Sequence, residues 1–154
     1  MIFVCQEKEL TYHKKVIKLE RTTWKFFDYA QDGVSVIEGW YQDELSKEAR
    51  FYFNNVLKTN RKIRKHREWV GFKGFLSGKP KKYRIWEIRF PGDKRQYRIL
   101  GVFRPNRKAI LLIGCYHKQR IYTPTSALEI ACRRADLLEK GSGGYVRRKI
   151  KTDI

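Results

Sequence analysis

Acidic residues are scarce in this 154-residue chain. Asp and Glu together number 16 against 35 Lys and Arg, which gives a formal net charge of +19 at pH 7. A modest charge of either sign is enough for solubility, so an excess this large indicates a polyanionic partner, nucleic acid above all. An acidic protein partner would also neutralise such a surface.

Cysteine is scarce too. Cys5, Cys115 and Cys132 are odd in number and scattered, with neither the spacing of metal ligands nor that of a disulfide framework. Cys115 lies in an apolar run and Cys132 in a predicted helix, where small buried hydrophobic side chains are the usual interpretation. This usage is typical of a reducing compartment, so we expect a cytoplasmic protein.

Long hydrophobic runs and internal repeats are missing. No apolar stretch approaches the length of a membrane span, and the first residues, MIFVCQEK, become charged too early for a signal peptide. The hydrophobic fraction of 42% and the aromatic fraction of 14% argue against disorder. We therefore expect one folded domain with a real core and no membrane partner.

Three consecutive strands form the strongest pattern in the chain. Residues 83–90 alternate between apolar and polar positions and end at a Pro-Gly-Asp turn. Residues 96–103 follow and contain a single charge, Arg98. Residues 109–116 are almost wholly apolar, which is typical of a central strand covered on both faces. These strands predict a sheet at the centre of the domain.

Segments whose apolar residues recur at helical spacing precede and follow these strands. After a first strand at Trp24–Tyr29, a capping pattern at Ser35 begins a long helix that should run to about Leu57. Residues 60–68 predict a shorter basic helix, and a C-terminal helix should end near Lys140. The predicted fold class is α+β, with a small antiparallel or mixed sheet, a long N-terminal helix plus a short second helix packed on it, and a C-terminal helix.

The domain boundaries follow from composition. Residues 1–21 are interpreted as an N-terminal extension and residues 22–140 as the domain. Residues 141–154 begin with a Gly-Ser-Gly-Gly linker and are predicted to be a basic, flexible tail.

Arg98 is the strongest candidate site residue. A lone arginine in an apolar strand costs desolvation unless it has a partner, and its guanidinium can hold a phosphate with two hydrogen bonds. The alternative is a buried ion pair with Glu87. Arg89 shares a strand face with Glu87, so a functional role and an ion pair across the sheet are both open.

His117 and Lys118 follow the apolar strand. His117 is the natural proton carrier, and the cations around it should favour its neutral form, which suits a general base. Tyr116 and Tyr122 are candidates to stack on a base, with packing as the alternative. Exposed cations are candidates for phosphate contact, with a solvated surface as the alternative: Arg61, Arg64, Lys73, Lys79, Lys81, Lys82 and Arg120.

The order of these pieces resembles a known family, the RelE/HigB-like toxins of bacterial and phage toxin–antitoxin modules, and the phage-derived HigB branch in particular. The resemblance spans roughly residues 22–140, and residues 83–136 carry most of it. The pieces are Trp86–Phe90, Tyr97–Ile99, the apolar strand, Tyr116–Lys118, Thr123–Pro124 and Ala131–Arg134.

The resemblance implies a ribosome-dependent endoribonuclease that cuts mRNA by attack of a ribose 2′-OH on the adjacent phosphate. It implies no metal and no cofactor, and it implies a HigA-like antitoxin of the helix-turn-helix type as partner. Arg98 matches the strand arginine of the family, Arg89 belongs to its motif, and Lys118 matches the first of two paired lysines. The second lysine is Gln119 here, and Arg120 could replace its charge.

Two other functions remain open. A ParE-like inhibitor of DNA gyrase lacks the nuclease residues, so the presence of Arg98, His117 and Lys118 argues against it. A non-catalytic module that binds RNA or the ribosome is supported equally well by the net charge.

Overall fold

The computed structural model describes residues 23–151, so the predicted N-terminal extension and Cys5 lie outside the described residues. The described part of the chain forms eight strands and three α-helices. The strands are β1 Lys25–Gln31, β2 Val34–Ser35, β3 Phe72–Phe75, β4 Trp86–Gly92, β5 Arg95–Arg104, β6 Lys108–Lys118, β7 Ile121–Thr123 and β8 Gly144–Arg147. The helices are α1 Val36–Glu44, α2 Lys47–Asn60 and α3 Ala127–Glu139.

All eight strands belong to one sheet. Its order is β2-β1-β6-β5-β4-β3, with β7 added to β6 and β8 added to β1. The β1–β6 pair is parallel, and the other pairs are antiparallel. The predictions of an α+β protein and a mixed sheet are confirmed. The central position of the apolar strand is also confirmed, because β6 lies between β1 and β5 and residues 109–115 are buried.

Helices cover both faces of the sheet. The apolar sides of α1 and α2 pack against one face, where Trp86, Ile88 and Phe90 point. The alanine-rich side of α3 packs against the other face, on Leu100 and Leu112. No helix among residues 23–151 is long and apolar enough to span a membrane.

The prediction of one long N-terminal helix is wrong. Ser35 caps a helix as expected, accepting a hydrogen bond from the Glu38 N–H at 2.9 Å, but that helix ends at Glu44. Leu45 is extended, and Ser46 caps α2 by accepting from the Ala49 N–H at 3.1 Å. The Ser46 hydroxyl also donates to Asp93 in the β4–β5 turn. Because serine offers the backbone this capping bond, the chain restarts a helix here.

The predicted second helix over residues 60–68 is also absent. Only His66–Glu68 forms a short 3₁₀ helix, because Ile63 is the one apolar anchor of this basic segment and a helix needs an apolar face to pack. Residues 69–82 contain β3 and part of a second 3₁₀ helix, Lys79–Tyr83.

The tail differs from its prediction between residues 144 and 148. Residues 144–147 form β8, which pairs with β1 and places Tyr145 opposite Tyr29. Arg148 follows it and is only 4% exposed. The C-terminal segment up to Arg148 is therefore an ordered part of the sheet rather than a mobile tail.

Gly114 of β6 supports a prediction about the core. A Cβ atom at this position would lie 2.2 Å from the Trp40 ring, which packs across the glycine. We expect Gly114→Ala to lower the free energy of unfolding by about 1–3 kcal/mol, because an inflexible indole must shift. Gly39→Ala is the control: its Cβ would meet nothing within 4 Å, and Ala should stabilise α1 by up to about 1 kcal/mol. Urea unfolding measures both, and equal stabilities would contradict the packing.

Candidate active site

Glu87 is the centre of a charged cluster on the α3 face of the sheet. It lies in β4 opposite Leu100 and is only 2% exposed. Its Oε1 accepts a hydrogen bond from Arg98 Nη1 at 2.8 Å, and its Oε2 accepts one from Arg89 Nε at 3.1 Å. The carboxylate thus holds two guanidinium groups, one from its own strand and one from β5. The Arg98–Glu87 pair that the sequence left open is present, whereas Arg89 pairs within its own strand rather than across the sheet.

His117 completes the cluster from β6. The register places Cys115 opposite Arg98 and Tyr122 opposite His117, and residues directly opposite share a face of the sheet. The His117 and Tyr122 rings meet edge to face with centroids 4.1 Å apart. The Tyr122 hydroxyl lies 3.5 Å from Glu87 Oε1. Three strands therefore position the imidazole, the two arginines and the carboxylate together.

The electrostatics of the cluster keep His117 neutral. Burial, then the positive charges of Arg98 and Arg89, lower the pKa of His117 below 6.5, while Glu87 opposes them. Its Nε2 atom is buried and has no hydrogen-bond partner among residues 23–151. The direction expected from the cations is confirmed, although burial is the larger cause. A neutral imidazole at pH 7 can accept a proton.

The neighbouring groups keep their protons. Burial and the charge of Glu87 raise the pKa of Tyr122 to about 12 and that of the Cys115 thiol to about 12. Cys115 and Cys132 are both buried, as their interpretation as small hydrophobic residues predicts. Within the described chain, no three His, Cys, Asp or Glu side chains are grouped so that they could ligate a metal ion.

Lys118 and Tyr116 do not join the cluster. Side chains alternate along a strand, so both lie on the sheet face opposite to His117. Tyr116 packs against the Tyr97 ring with centroids 5.9 Å apart. The Arg95 guanidinium lies 4.4 Å from the centre of the Tyr116 ring. Lys118 is exposed at the end of β6.

The predicted RNA-binding cations are spread over several elements. No hydrogen bond or ion pair between described residues joins them to Glu87, and all are exposed except Arg61, which is half-buried. Their positions are the end of α2 and the segment after it (Arg61, Arg64), β3 (Lys73), the second 3₁₀ helix (Lys79, Lys81, Lys82) and the β6–β7 turn (Arg120). Their roles stay predictions.

Fold and site define a class of protein: a small α+β domain whose rigid sheet presents a histidine beside two arginines held by one carboxylate. Residues 42–136, more than half of the chain, match the family model of the phage derived protein Gp49-like family (DUF891). The chain belongs to this family, which is a family of RelE-like, toxin-like proteins. The match includes every residue of the Glu87 cluster. No curated protein and no solved structure matches the chain significantly.

Proposed function

We propose that this protein is the toxin of a toxin–antitoxin module and that it cuts mRNA on the ribosome, as RelE/HigB-like toxins do. Membership of the Gp49-like family supports the toxin class. The observation that carries the nuclease activity is the cluster in which His117, Arg89 and Arg98 surround Glu87. It unites a proton acceptor with groups that bind phosphate.

The chemistry needs three contributions. A ribose 2′-OH must lose its proton, the phosphate must gain positive charge around it as it becomes pentacovalent, and the leaving 5′-oxygen must gain a proton. His117 takes the first role, because its lowered pKa leaves the imidazole neutral and able to accept the 2′-OH proton. The mRNA is aligned by the ribosome, so a small protein can act with few groups.

Arg98 and Arg89 take the second role. Together with Glu87 they carry two positive charges and one negative charge, so the cluster retains one excess positive charge for an attacked phosphate. Glu87 uses one oxygen for each arginine, which fixes both guanidinium groups before substrate arrives and avoids reorganisation during the reaction. Arg89 is the more accessible of the two, with 34% of its side chain exposed.

Lys118 takes the third role in this proposal. It is exposed at the end of β6, next to His117 in sequence, and an ammonium group can stabilise or protonate a leaving oxygen. Because its strand position points it to the other face of the sheet, its contribution should be smaller than that of His117.

The pH dependence of cleavage tests the role of His117. If neutral His117 accepts the proton, the single-turnover rate should rise with pH through an apparent pKa below 6.5 and then become flat, because burial and Arg98 lower the pKa of this group. In Glu87→Gln the acid limb should move to still lower pH, because the carboxylate that raises the pKa of His117 is gone. An acid limb that persists unchanged in His117→Ala would contradict the assignment.

The cleavage itself is tested on programmed ribosomes with mRNA that carries one 2′-deoxynucleotide at the cut site. The unmodified mRNA should be cut to a 2′,3′-cyclic phosphate and a 5′-hydroxyl, and the 2′-deoxy substitution should abolish cutting at that position because the nucleophile is missing. Parallel assays of gyrase supercoiling and of ribosome binding separate the other functions. Gyrase inhibition, or ribosome binding without cleavage of either mRNA, would overturn the proposal.

The proposed partner is a small antitoxin, HigA-like and of the helix-turn-helix type, whose acidic residues cover part of the basic surface. The net charge of +19 supports an acidic partner. Expression of the protein alone should arrest growth, and co-expression of the adjacent gene should restore it. Harmless expression, together with no small protein in a pull-down from the native host, would count against this partner.

One observation favours a non-catalytic RNA-binding module as a second candidate. The carboxylate of Glu87 already pairs with both arginines, so a purely structural ion-pair network would look the same in the absence of substrate. The 2′-deoxy experiment separates the two, since a binding module cuts neither mRNA.

A further inference from the structure

A second concentration of positive charge and aromatic rings lies where β5 ends and just before β4 begins. It surrounds a cavity of about 350 Å³ whose lining includes His66, Phe75, Lys82, Arg84, Phe103 and Arg104. Arg98 and Arg104 are six residues apart on β5, and a strand rises about 3.3 Å per residue. Arg104 therefore lies about 20 Å along β5 from Arg98, whereas Arg84 precedes Glu87 by only three residues, about 10 Å of extended chain. The cavity shares no lining residue with the Glu87 cluster.

The cavity has an aromatic wall. The rings of His66 and Phe103 lie with centroids 4.6 Å apart, and Phe75 lies 6.0 Å from His66 and 6.2 Å from Phe103. Phe75 is 37% exposed, which is unusual for a phenylalanine. Burial, then the charges of Arg67 and Arg84, lower the pKa of His66, so its ring is neutral at pH 7. Exposed rings beside cations are the usual platform for nucleobases.

The cations around this wall are not neutralised. Lys82, Arg84 and Arg104 form no ion pair with any residue between 23 and 151, and Glu139 is the only carboxylate in the lining. Arg104 donates from Nη1 to the Phe103 carbonyl at 3.0 Å. Its Nη2 is buried without a partner in the described part of the chain. A buried guanidinium N–H without an acceptor is costly, and an anionic oxygen in the cavity would satisfy it.

The backbone places Arg84 over the wall. This residue has φ 55° and ψ 49°, the left-handed conformation that residues with a side chain seldom adopt. Its N–H donates to the Lys81 carbonyl at 3.1 Å, and its guanidinium carbon lies 4.5 Å above the Phe75 ring. This left-handed conformation ends the 3₁₀ helix Lys79–Tyr83.

We propose that this cavity is a second RNA-binding site, which holds one nucleotide of a single strand with its base on Phe75 and its phosphate on Arg84 and Arg104. The choice of RNA as the ligand rests on the proposed function. An acidic peptide would pair with the same cations, but its carboxylate side chains would not stack on the aromatic wall.

The test measures RNA binding without ribosomes, so it is independent of cleavage. The probe is a fluorescein-labelled 2′-O-methyl hexauridylate, which lacks the attacking hydroxyl, and the readout is fluorescence anisotropy. Phe75→Leu, which leaves the charge unchanged, should weaken binding about tenfold through lost stacking. Arg104→Gln should weaken it and reduce the slope of log affinity against log salt by about 0.7.

Lys47→Gln is the matched control. Lys47 is exposed at the start of α2. The neighbouring Ser46 contacts Asp93 in the β4–β5 turn, so Lys47 lies at the opposite end of the sheet from the cavity. Losing its charge should change the affinity less than twofold. Equal weakening by Lys47→Gln and Arg104→Gln, or unchanged binding in Phe75→Leu, would overturn the site, provided that thermal melts show each variant folded.

Competition distinguishes the two kinds of occupant. Unlabelled hexauridylate should displace the probe, and hexaglutamate should not do so at the same concentration. Displacement by hexaglutamate as effective as that by RNA would overturn the assignment of RNA. If ribosome-dependent cleavage fails while binding still depends on Phe75, the nuclease proposal fails and this site stands.

Discussion

His117→Ala is expected to slow single-turnover cleavage of mRNA on programmed ribosomes by about 10²–10⁴-fold, which is what a positioned general base contributes. The fold should survive, because the imidazole is half-buried near the strand end and its Nε2 has no hydrogen-bond partner between residues 23 and 151. Arg98→Ala should cost about 10²–10³ in rate, since a preorganised charge at the phosphate is lost.

The arginine variant needs a control for stability. Removing Arg98 takes away one of the two cations that pair with Glu87, whose carboxylate is buried, and a buried charge left under-paired destabilises a protein. The double variant Arg98→Ala, Glu87→Gln removes that charge and should melt closer to the parent while remaining slow. Arg147→Ala, an exposed change on β8, should leave the rate at saturation unaltered.

These variants can also refute the site. If His117→Ala and Arg98→Ala melt like the parent and cleave at the parental rate, the cluster is a structural ion-pair network. A loss of rate that exactly follows a loss of folded protein would lead to the same conclusion. The assignment therefore depends on rates measured beside thermal melts of the same preparations.

The central strands could be predicted because their signals are local. Alternation, turn residues and an apolar run placed β4, β5 and β6 to within a few residues. The break between α1 and α2 could not be read in this way. Tyr41, Leu45 and Ala49 are all buried, so the helical spacing continues across the break. The contact that holds Ser46 comes from Asp93, 47 residues away in sequence.

The sequence predicted the arginines and the histidine of the site, but not the carboxylate at its centre. Arg98 and His117 are distant in sequence and meet through the register of β5 with β6, as expected for residues on neighbouring strands. The sequence indicates Glu87 only as an ion-pair partner that competes with phosphate for Arg98, whereas in the structure its carboxylate positions both arginines. Glu87 and Arg89 are the only charged residues of β4, and this was the one sequence feature that could have revealed the role of Glu87.

The C-terminal segment shows that composition alone does not predict whether a segment is ordered. Its glycine-rich linker and basic residues are typical of a mobile tail, yet β8 pairs with β1. The reason is a long-range contact: Arg148 Nη1 donates to Asp28 Oδ2 at 3.0 Å and to Glu38 Oε2 at 2.6 Å. These carboxylates lie 120 and 110 residues earlier in the chain, so no local pattern reveals them.

Arg148→Met should therefore lower the free energy of unfolding by about 3–5 kcal/mol, the cost of breaking a buried ion pair on one side. Asp28 is only 2% exposed. Burial raises the pKa of Asp28, and Arg148 is the main group that opposes this, so loss of the cation leaves a carboxylate that must take up a proton to stay inside. The Arg148 guanidinium also lies about 5 Å above the Tyr41 and Phe53 rings, where methionine restores some packing but no charge.

The matched control is Lys149→Met, the neighbouring exposed cation, which should change stability by less than about 0.5 kcal/mol. The double variant Asp28→Asn, Arg148→Met removes both buried charges and should be more stable than Arg148→Met alone, because no buried carboxylate is left without its partner. Urea unfolding followed by tryptophan fluorescence measures all three variants. If Arg148→Met is no less stable than Lys149→Met, β8 is held by its backbone pairing with β1 and the buried arginine contributes nothing to anchoring the C-terminal strand.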